Sequence, residues 1–201
     1  MSSKRPLALV ACGALAREVR EIAARHGWDA DLYSIPALHH LSPRKIVEDV
    51  ERELAELDGR YERVVVVYGD CGTFGALDRV LERFGAVRPE GPHCYEMYGG
   101  AELAAEADRR LSTFFLTDWL VRNWERAVVD GLGIGRFPFL RNTYFDHVTD
   151  VLYLRQSPEP SLEAKAHEIA ADLGVPLEIR DVGLGDLERR LVERVEEPDS
   201  P

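Results

Sequence analysis

The sequence predicts an α/β protein, a single-domain, Rossmann-like three-layer α/β/α sandwich on one mostly parallel sheet of about six to seven strands. Three observations predict it. Short apolar runs alternate with amphipathic helical stretches along the whole chain, and such alternation builds parallel sheets covered by helices. The run Arg63-Val-Val-Val-Val-Tyr68 is β-branched without interruption, as suits a strand buried on both faces. Every unusual polar cluster falls where one of these runs stops.

In chain order, Leu7-Ala-Leu-Val-Ala11 is an apolar strand ended by Cys12-Gly13, and Leu15, Val19, Ile22 and Ala23 mark the helix that follows, at Ala14 to His26. Asp31 to Ile35 can form a second strand, with Pro36-Ala-Leu-His-His40 as a loop. Ser42 can cap the next helix and Pro43 can open it, with Ile46, Val50, Leu54 and Leu57 as its buried stripe. The strand at 63–68 ends in Gly69-Asp70-Cys71-Gly72-Thr73, before a helix through Leu77 and Leu81. A weaker strand at Ala86 to Arg88 leads to Gly91-Pro-His-Cys-Tyr-Glu96 and a helix from Ala101 to Leu111.

Thr113 to Leu116 reads as a fifth strand, with Thr117-Asp118 opening a helix through Trp119, Val121, Trp124 and Val128. The spacing of Trp119, Trp124, Phe114 and Phe115 fits core packing. A short helix at Phe139 to Phe145, a strand at Val151 to Leu154, a helix at Leu162 to Leu173, a strand at Leu177 to Val182 and a helix at Asp186 to Val195 complete the pattern. The domain is expected to span residues 1–195, with 196–201 as a frayed tail.

The chain has 201 residues, 45% of them hydrophobic and 30% charged, enough for one sizeable core. Its formal net charge is −11, from 25 Lys+Arg against 36 Asp+Glu, with no evident basic patch. Nucleic acid and anionic membranes are therefore poor partners, and a small molecule is the expected one. No stretch approaches the roughly 18–20 apolar residues of a membrane span, and the apolar run at the start is too short for a signal-peptide core. Three cysteines without close spacing suit a reducing, cytoplasmic setting with free thiols.

Ligands of open α/β sheets bind outside the carboxyl ends of the strands. That rule gathers Cys12, Cys71 and Cys94 into one expected site. Soft thiolates from separate loops suit a [4Fe-4S] cluster or zinc, and three of them leave one coordination position for substrate. The cluster is the first choice, because no nitrogen ligand is evident. Asp70, His93 and Glu96 are the candidate proton carriers. Gly13 and Gly72 allow close backbone approach, and Thr73, Asp118, Gln156 and His39 are placed on the rim. Asp70, Thr73 and Asp118 can equally cap helices, and His39 and His40 can simply be exposed. There is no Gly-x-Gly-x-x-Gly after the first strand, no Walker-type loop and no Gly-x-Ser-x-Gly elbow, which excludes the usual dinucleotide, ATPase and serine-hydrolase sites.

At Cys12-Gly-Ala-Leu-Ala-Arg-Glu18, Tyr68-Gly-Asp-Cys-Gly-Thr73, His93-Cys-Tyr-Glu96, Phe115-Leu-Thr-Asp118 and Tyr153-Leu-Arg-Gln156 the sequence resembles the DUF1638 family of bacterial and archaeal proteins, from about Leu7 to Leu187. The family's loop that often reads Leu-His-Asn is here Leu38-His39-His40. The resemblance implies a link to corrinoid-dependent methyl-group metabolism, and with it a metal-bearing methyl-transfer or accessory role and a corrinoid methyltransferase-system partner. Quinolinate synthase looks similar in holding a [4Fe-4S] cluster with three cysteines from strand ends. Two alternatives stand beside the metalloenzyme. One is a metal-free isomerase or racemase working through two facing thiols such as Cys12 and Cys71. The other is a non-catalytic carrier of a metal, cluster or corrinoid.

Overall fold

A computed structural model describes residues 5–89, 91 and 93–196. The chain divides into two compact units, Met1–Met97 with Asp186–Pro201, and Tyr98–Gly185. Each carries a three-stranded parallel sheet. The expected architecture of parallel strands and covering helices is present, but as two sheets of three rather than one of six or seven.

In the first unit, β1 (Arg5–Cys12) is central, flanked by β2 (Ala30–Ile35) and β3 (Tyr61–Val67). Leu9 pairs with Leu32 on one side and Val65 on the other. Both neighbours cover β1, so it is buried from Leu7 to Cys12, which the unbroken apolar run demands. Helix α1 (Ala16–Arg25) joins β1 to β2 and packs through Val19 and Ile22, and α2 (Pro43–Leu57) crosses back to β3 on Ile46, Val50, Leu54 and Leu57. Pro43 opens α2 as expected, but the Ser42 side chain makes no cap hydrogen bond.

Helix α3 (Ala76–Phe84) follows β3, burying Leu77 and Leu81. The weak strand expected at Ala86 to Arg88 reduces to one parallel bridge, Val65 with Val87, on the far edge of β3. Thus the chain leaves β1 toward β2, and leaves β3 toward Val87. Connections that diverge in this way mark the carboxyl ends of β1 and β3 as the place where open α/β sheets bind ligands.

The second unit orders its strands β4 (Thr113–Thr117), β5 (Asp150–Arg155) and β6 (Leu177–Asp181). Its helices are α4 (Gly100–Ala107), α5 (Asp118–Arg122), α6 (Leu140–Phe145) and α7 (Pro160–Leu173). The helix expected to run on from Asp118 through Val128 is interrupted, α5 giving way to a π-helical stretch at Glu125–Asp130. Of the expected aromatic set, Phe114 and Trp124 pack together at 5.9 Å between ring centroids, with Phe145 5.4 Å from Phe114.

The final helix, α8 (Gly185–Glu196), returns to the first unit from Asp186 onward. There it buries Leu187 and Leu191 and holds α1 through Glu188, which pairs with Arg25 and His26. Of the tail expected to fray, Glu196 ends α8, and residues 197–201 lie outside those described. No helix among the described residues is long and apolar enough to cross a membrane.

Candidate metal centre

The three cysteines converge in the first unit. Cys12 is the last residue of β1, fully buried, and its Sγ accepts the Ala14 N–H at 3.4 Å. Gly13 lets the chain turn there: its N–H bonds Ile35 O, and a Cβ would lie 3.1 Å from that oxygen.

Cys71 follows β3 in a loop built around Asp70. The Asp70 carboxylate accepts hydrogen bonds from Phe74 N–H, Gly75 N–H and the Thr73 hydroxyl at 2.9–3.1 Å. Burial pushes Asp70 up, yet these donors outweigh it and hold the acid below the usual carboxylate range. The carboxylate therefore organises the loop that presents the thiol. Cys71 itself has φ +48°, a left-handed conformation uncommon for a non-glycine residue, and Gly72 continues it at φ +82° beside the Pro43 ring.

Cys94 was expected to follow a fourth strand. It enters instead as the first residue of a 3-10 turn, Cys94–Tyr98, whose preceding loop crosses over Gly69. A Cβ on Gly69 would stand 2.8–2.9 Å from the His93 carbonyl carbon and the Cys94 nitrogen, so only glycine admits this crossing. The Gly69 N–H donates to Cys94 Sγ at 3.4 Å, and Cys94 Sγ lies 3.2 Å from Cys71 Sγ.

A histidine completes the group. Residues Ala37–Leu41, expected as loop, form a 3-10 turn that directs His40 Nε2 to within 3.9 Å of Cys94 Sγ. Its Nδ1 lies 2.7 Å from Ala37 O, and since a carbonyl only accepts, Nδ1 carries the proton. When Nε2 gives up its proton its lone pair faces the sulfurs, which is how a ligating histidine is normally held. Cys12, His40 and Cys94 place their donor atoms within 4.8 Å of one another. Cys71 joins them through Cys94. The outer edge of His40 remains exposed, so the group lies under the surface with one accessible side.

Charge is polarised within this cluster. Cys94 is pushed well up by its hydrogen bonding with Cys12 and Cys71 and by burial. Hydrogen bonding from Cys94, against burial and with help from His40, lowers Cys71 to about 5, and Cys12 falls to about 7 for the same reasons. Burial pulls His40 down, but its hydrogen bond to Cys71 and the charges of Cys12 and Cys71 prevail and lift it to about 9. A pocket that holds a proton among thiolates in this way is equally suited to a metal cation.

Tyr68 forms the inner wall. Its ring stacks on His40, with centroids 5.9 Å apart, and its hydroxyl is buried toward Cys12 without a hydrogen bond of normal geometry to any described residue. Burial, then the neighbouring thiolates, keep that phenol protonated.

The other expected site residues are distributed more widely. His39, one position from His40, pairs with Asp49 at 2.7 Å instead of meeting the sulfurs. His93 is exposed and stacks on Tyr95, whereas Glu96 is buried in the same 3-10 turn as Cys94. Thr73 is buried and bonded to Asp70. Asp118 and Gln156 belong to the second unit, at the ends of β4 and β5. There the Asp118 carboxylate, fully buried, accepts from Tyr153 OH at 2.7 Å and from the Gln156 and Ser157 N–H groups at 3.0 Å. Gln156 Oε1 accepts the Asp118 N–H in return.

Residues 34–191 match the DUF1638 family, described as a protein of unknown function. The chain belongs to the DUF1638 family. The matched span contains His40, Cys71 and Cys94 as well as Asp118 and Gln156, while Cys12 precedes it. No curated protein matches the chain.

Proposed function

We propose that this DUF1638 protein is a metalloprotein in which Cys12, Cys71, Cys94 and His40 hold one thiophilic divalent ion, zinc by first choice, beside a crevice for a small polar metabolite. The observation that carries the proposal is the orientation of His40, whose Nδ1 is bonded to Ala37 O while Nε2 meets the thiols. It provides the nitrogen ligand whose absence favours an iron–sulfur cluster on sequence grounds.

Spacing supports the same choice. Zn–S bonds of about 2.3 Å in a tetrahedron set donor edges of about 3.7 Å, and the contacts of 3.2 and 3.9 Å bracket that value. A [4Fe-4S] cluster interposes iron and sulfide ions between its cysteines and would need these sulfurs much farther apart. The placement at diverging strand connections, in a Rossmann-like arrangement of β2, β1, β3 and Val87, suits a ligand crevice.

Four protein donors would close a tetrahedral shell, so a bound ion would polarise a substrate oxygen only where one donor gave up its place or the shell expanded to five. The chain's own residues then have distinct tasks. Asp70 fixes the loop of Cys71, Ala37 O fixes the His40 tautomer, and the Tyr68 hydroxyl beside Cys12 has no hydrogen-bond partner of normal geometry among the described residues. The link to corrinoid-dependent methyl-group metabolism that the resemblance implies makes methylated compounds the substrates, and a corrinoid methyltransferase the partner, to test first, the latter by pull-down.

Protein purified without oxygen or chelators is expected to contain about one zinc per chain and no acid-labile sulfide. Iron with stoichiometric sulfide would replace the single ion by a cluster. A metal-free preparation that turns over substrate would instead support thiol chemistry, the second reading, which the 3.2 Å contact of the Cys71 and Cys94 sulfurs and the lowered pKa of Cys71 favour.

A further inference from the structure

Within the proposed metal set, one pair of donors differs from the rest. Cys71 and Cys94 have their sulfurs 3.2 Å apart, in contact, and come from two crossing loops, 23 positions apart in sequence. We infer that Cys71 and Cys94 are also a dithiol–disulfide couple, so that oxidation by a hydroperoxide joins them and expels the ion. The inference rests on the metal-binding reading for its consequence, but not for the disulfide itself.

The geometry assigns the roles. Cys71 stands in the loop between Gly69 and Gly72 at φ +48°, whereas Cys94 Sγ is held by the Gly69 N–H at 3.4 Å and lies 3.9 Å from His40 Nε2. Cys71 is therefore the sulfur that attacks. Its thiolate attacks the distal oxygen of the hydroperoxide, the S–O bond forms as the O–O bond breaks, and the displaced alkoxide takes up a proton and leaves as an alcohol, giving a sulfenic acid on Cys71. Cys94 then attacks the Cys71 sulfur. The S–S bond forms, the S–O bond breaks, and the hydroxide departs as water with the Cys94 proton. Two thiols have lost two electrons and two protons, which the hydroperoxide has taken up.

Backbone features permit the closure. Bringing the sulfurs from 3.2 Å to the bonded distance of about 2.05 Å is a shift of roughly one ångström. Cys71 stands between Gly69 and Gly72 in a loop that already holds an unusual φ. Once the couple is closed, only Cys12 and His40 remain as donors, too few for a structural or catalytic zinc site.

The competing pair is Cys12 with Cys94, which also interact. Cys12, however, is the last residue of a central strand, paired with Ile35, and is completely buried, so it has less freedom to move.

The test uses the reduced full-length protein, one sample loaded with zinc and one stripped with chelator, each treated with hydrogen peroxide. Non-reducing peptide mapping is expected to find a Cys71–Cys94 cross-link in both. The loaded sample should release about one zinc per chain to a chromogenic indicator, and dithiothreitol should restore binding. In Cys94→Ser the cross-link should vanish and a dimedone-reactive sulfenic acid should accumulate on Cys71.

A cross-link through Cys12, or thiols that stay reduced or pass directly to sulfinic acid, would overturn the inference. A cross-link in protein that never binds zinc would leave the couple standing and remove the metal reading. Zinc retained with both thiols reduced after peroxide would do the opposite.

Discussion

At the scale of single residues, His40 and His39 offer a direct separation of roles. Replacing His40 by alanine removes a donor from the metal set, and zinc affinity should fall by more than the roughly 10–100-fold that a supporting group usually contributes. His39→Ala removes only the pairing with Asp49 and should leave affinity within a few-fold of the parent. Competition titration against a chelator of known affinity measures both. Tyr68→Phe deletes a buried hydroxyl directed at Cys12 and should weaken zinc binding toward the lower end of that 10–100-fold range. Its fold should hold, because the ring still packs on His40; an unchanged affinity would assign the hydroxyl elsewhere.

The cysteines were legible in the sequence because each lies in a short segment where glycine, aspartate or histidine interrupts an apolar pattern. His40 was not. Two adjacent histidines in a 3-10 turn point in different directions, and which one meets the thiols depends on the approach of the Cys94 turn, a tertiary contact with no local signal. Tyr68 was hidden for a similar reason, since it reads as the end of a buried strand and only its unpartnered hydroxyl shows otherwise.

At the scale of elements, the crossing of two loops at Gly69 determines where Cys94 stands. Gly69→Ala would press a Cβ against backbone atoms at 2.8–2.9 Å, which flexible side chains cannot relieve. The expected outcome is a loss of about 1–3 kcal/mol in stability by denaturant titration, together with weaker zinc binding as the Cys94 loop is pushed away. Stability lost with metal affinity intact would mean that the loop relaxes elsewhere.

Helix and strand positions followed their periodicity closely because burial dictates it. The missing strand at Ala86 to Arg88 is a different matter. It has the composition of a strand, but only Val87 bonds to β3, through Val64 and Val66, so a run of three residues ends as a bridge. The number of sheets was equally unreadable, since apolar strands declare that both faces are covered without declaring which neighbours cover their edges.

At the scale of the whole molecule, part of the acidic excess is drawn into ion-pair networks. In the second unit, Arg110 and Arg180 both pair with Glu106 and Glu178, and Arg110 also with Asp150. Hydrogen bonds from Arg180 and Arg110 hold Glu106 down to about 2. A folded-state pKa below the unfolded value of about 4.3 stabilises the fold above that value, and the stabilisation disappears as pH falls toward 2. Acid titration followed by the fluorescence of Trp119 and Trp124, in a Trp28→Phe background, should show the second unit weakening across this window. Arg180→Ala should flatten that dependence.

The central claim is that one ion is held by three sulfurs and the imidazole of His40, and X-ray absorption at the zinc edge reads that coordination shell directly. The account predicts three sulfur scatterers at about 2.3 Å and one nitrogen at about 2.0 Å, with the imidazole signature lost in His40→Ala. A shell of oxygen and nitrogen alone, or metal–metal scattering from an iron-based cluster, would contradict it.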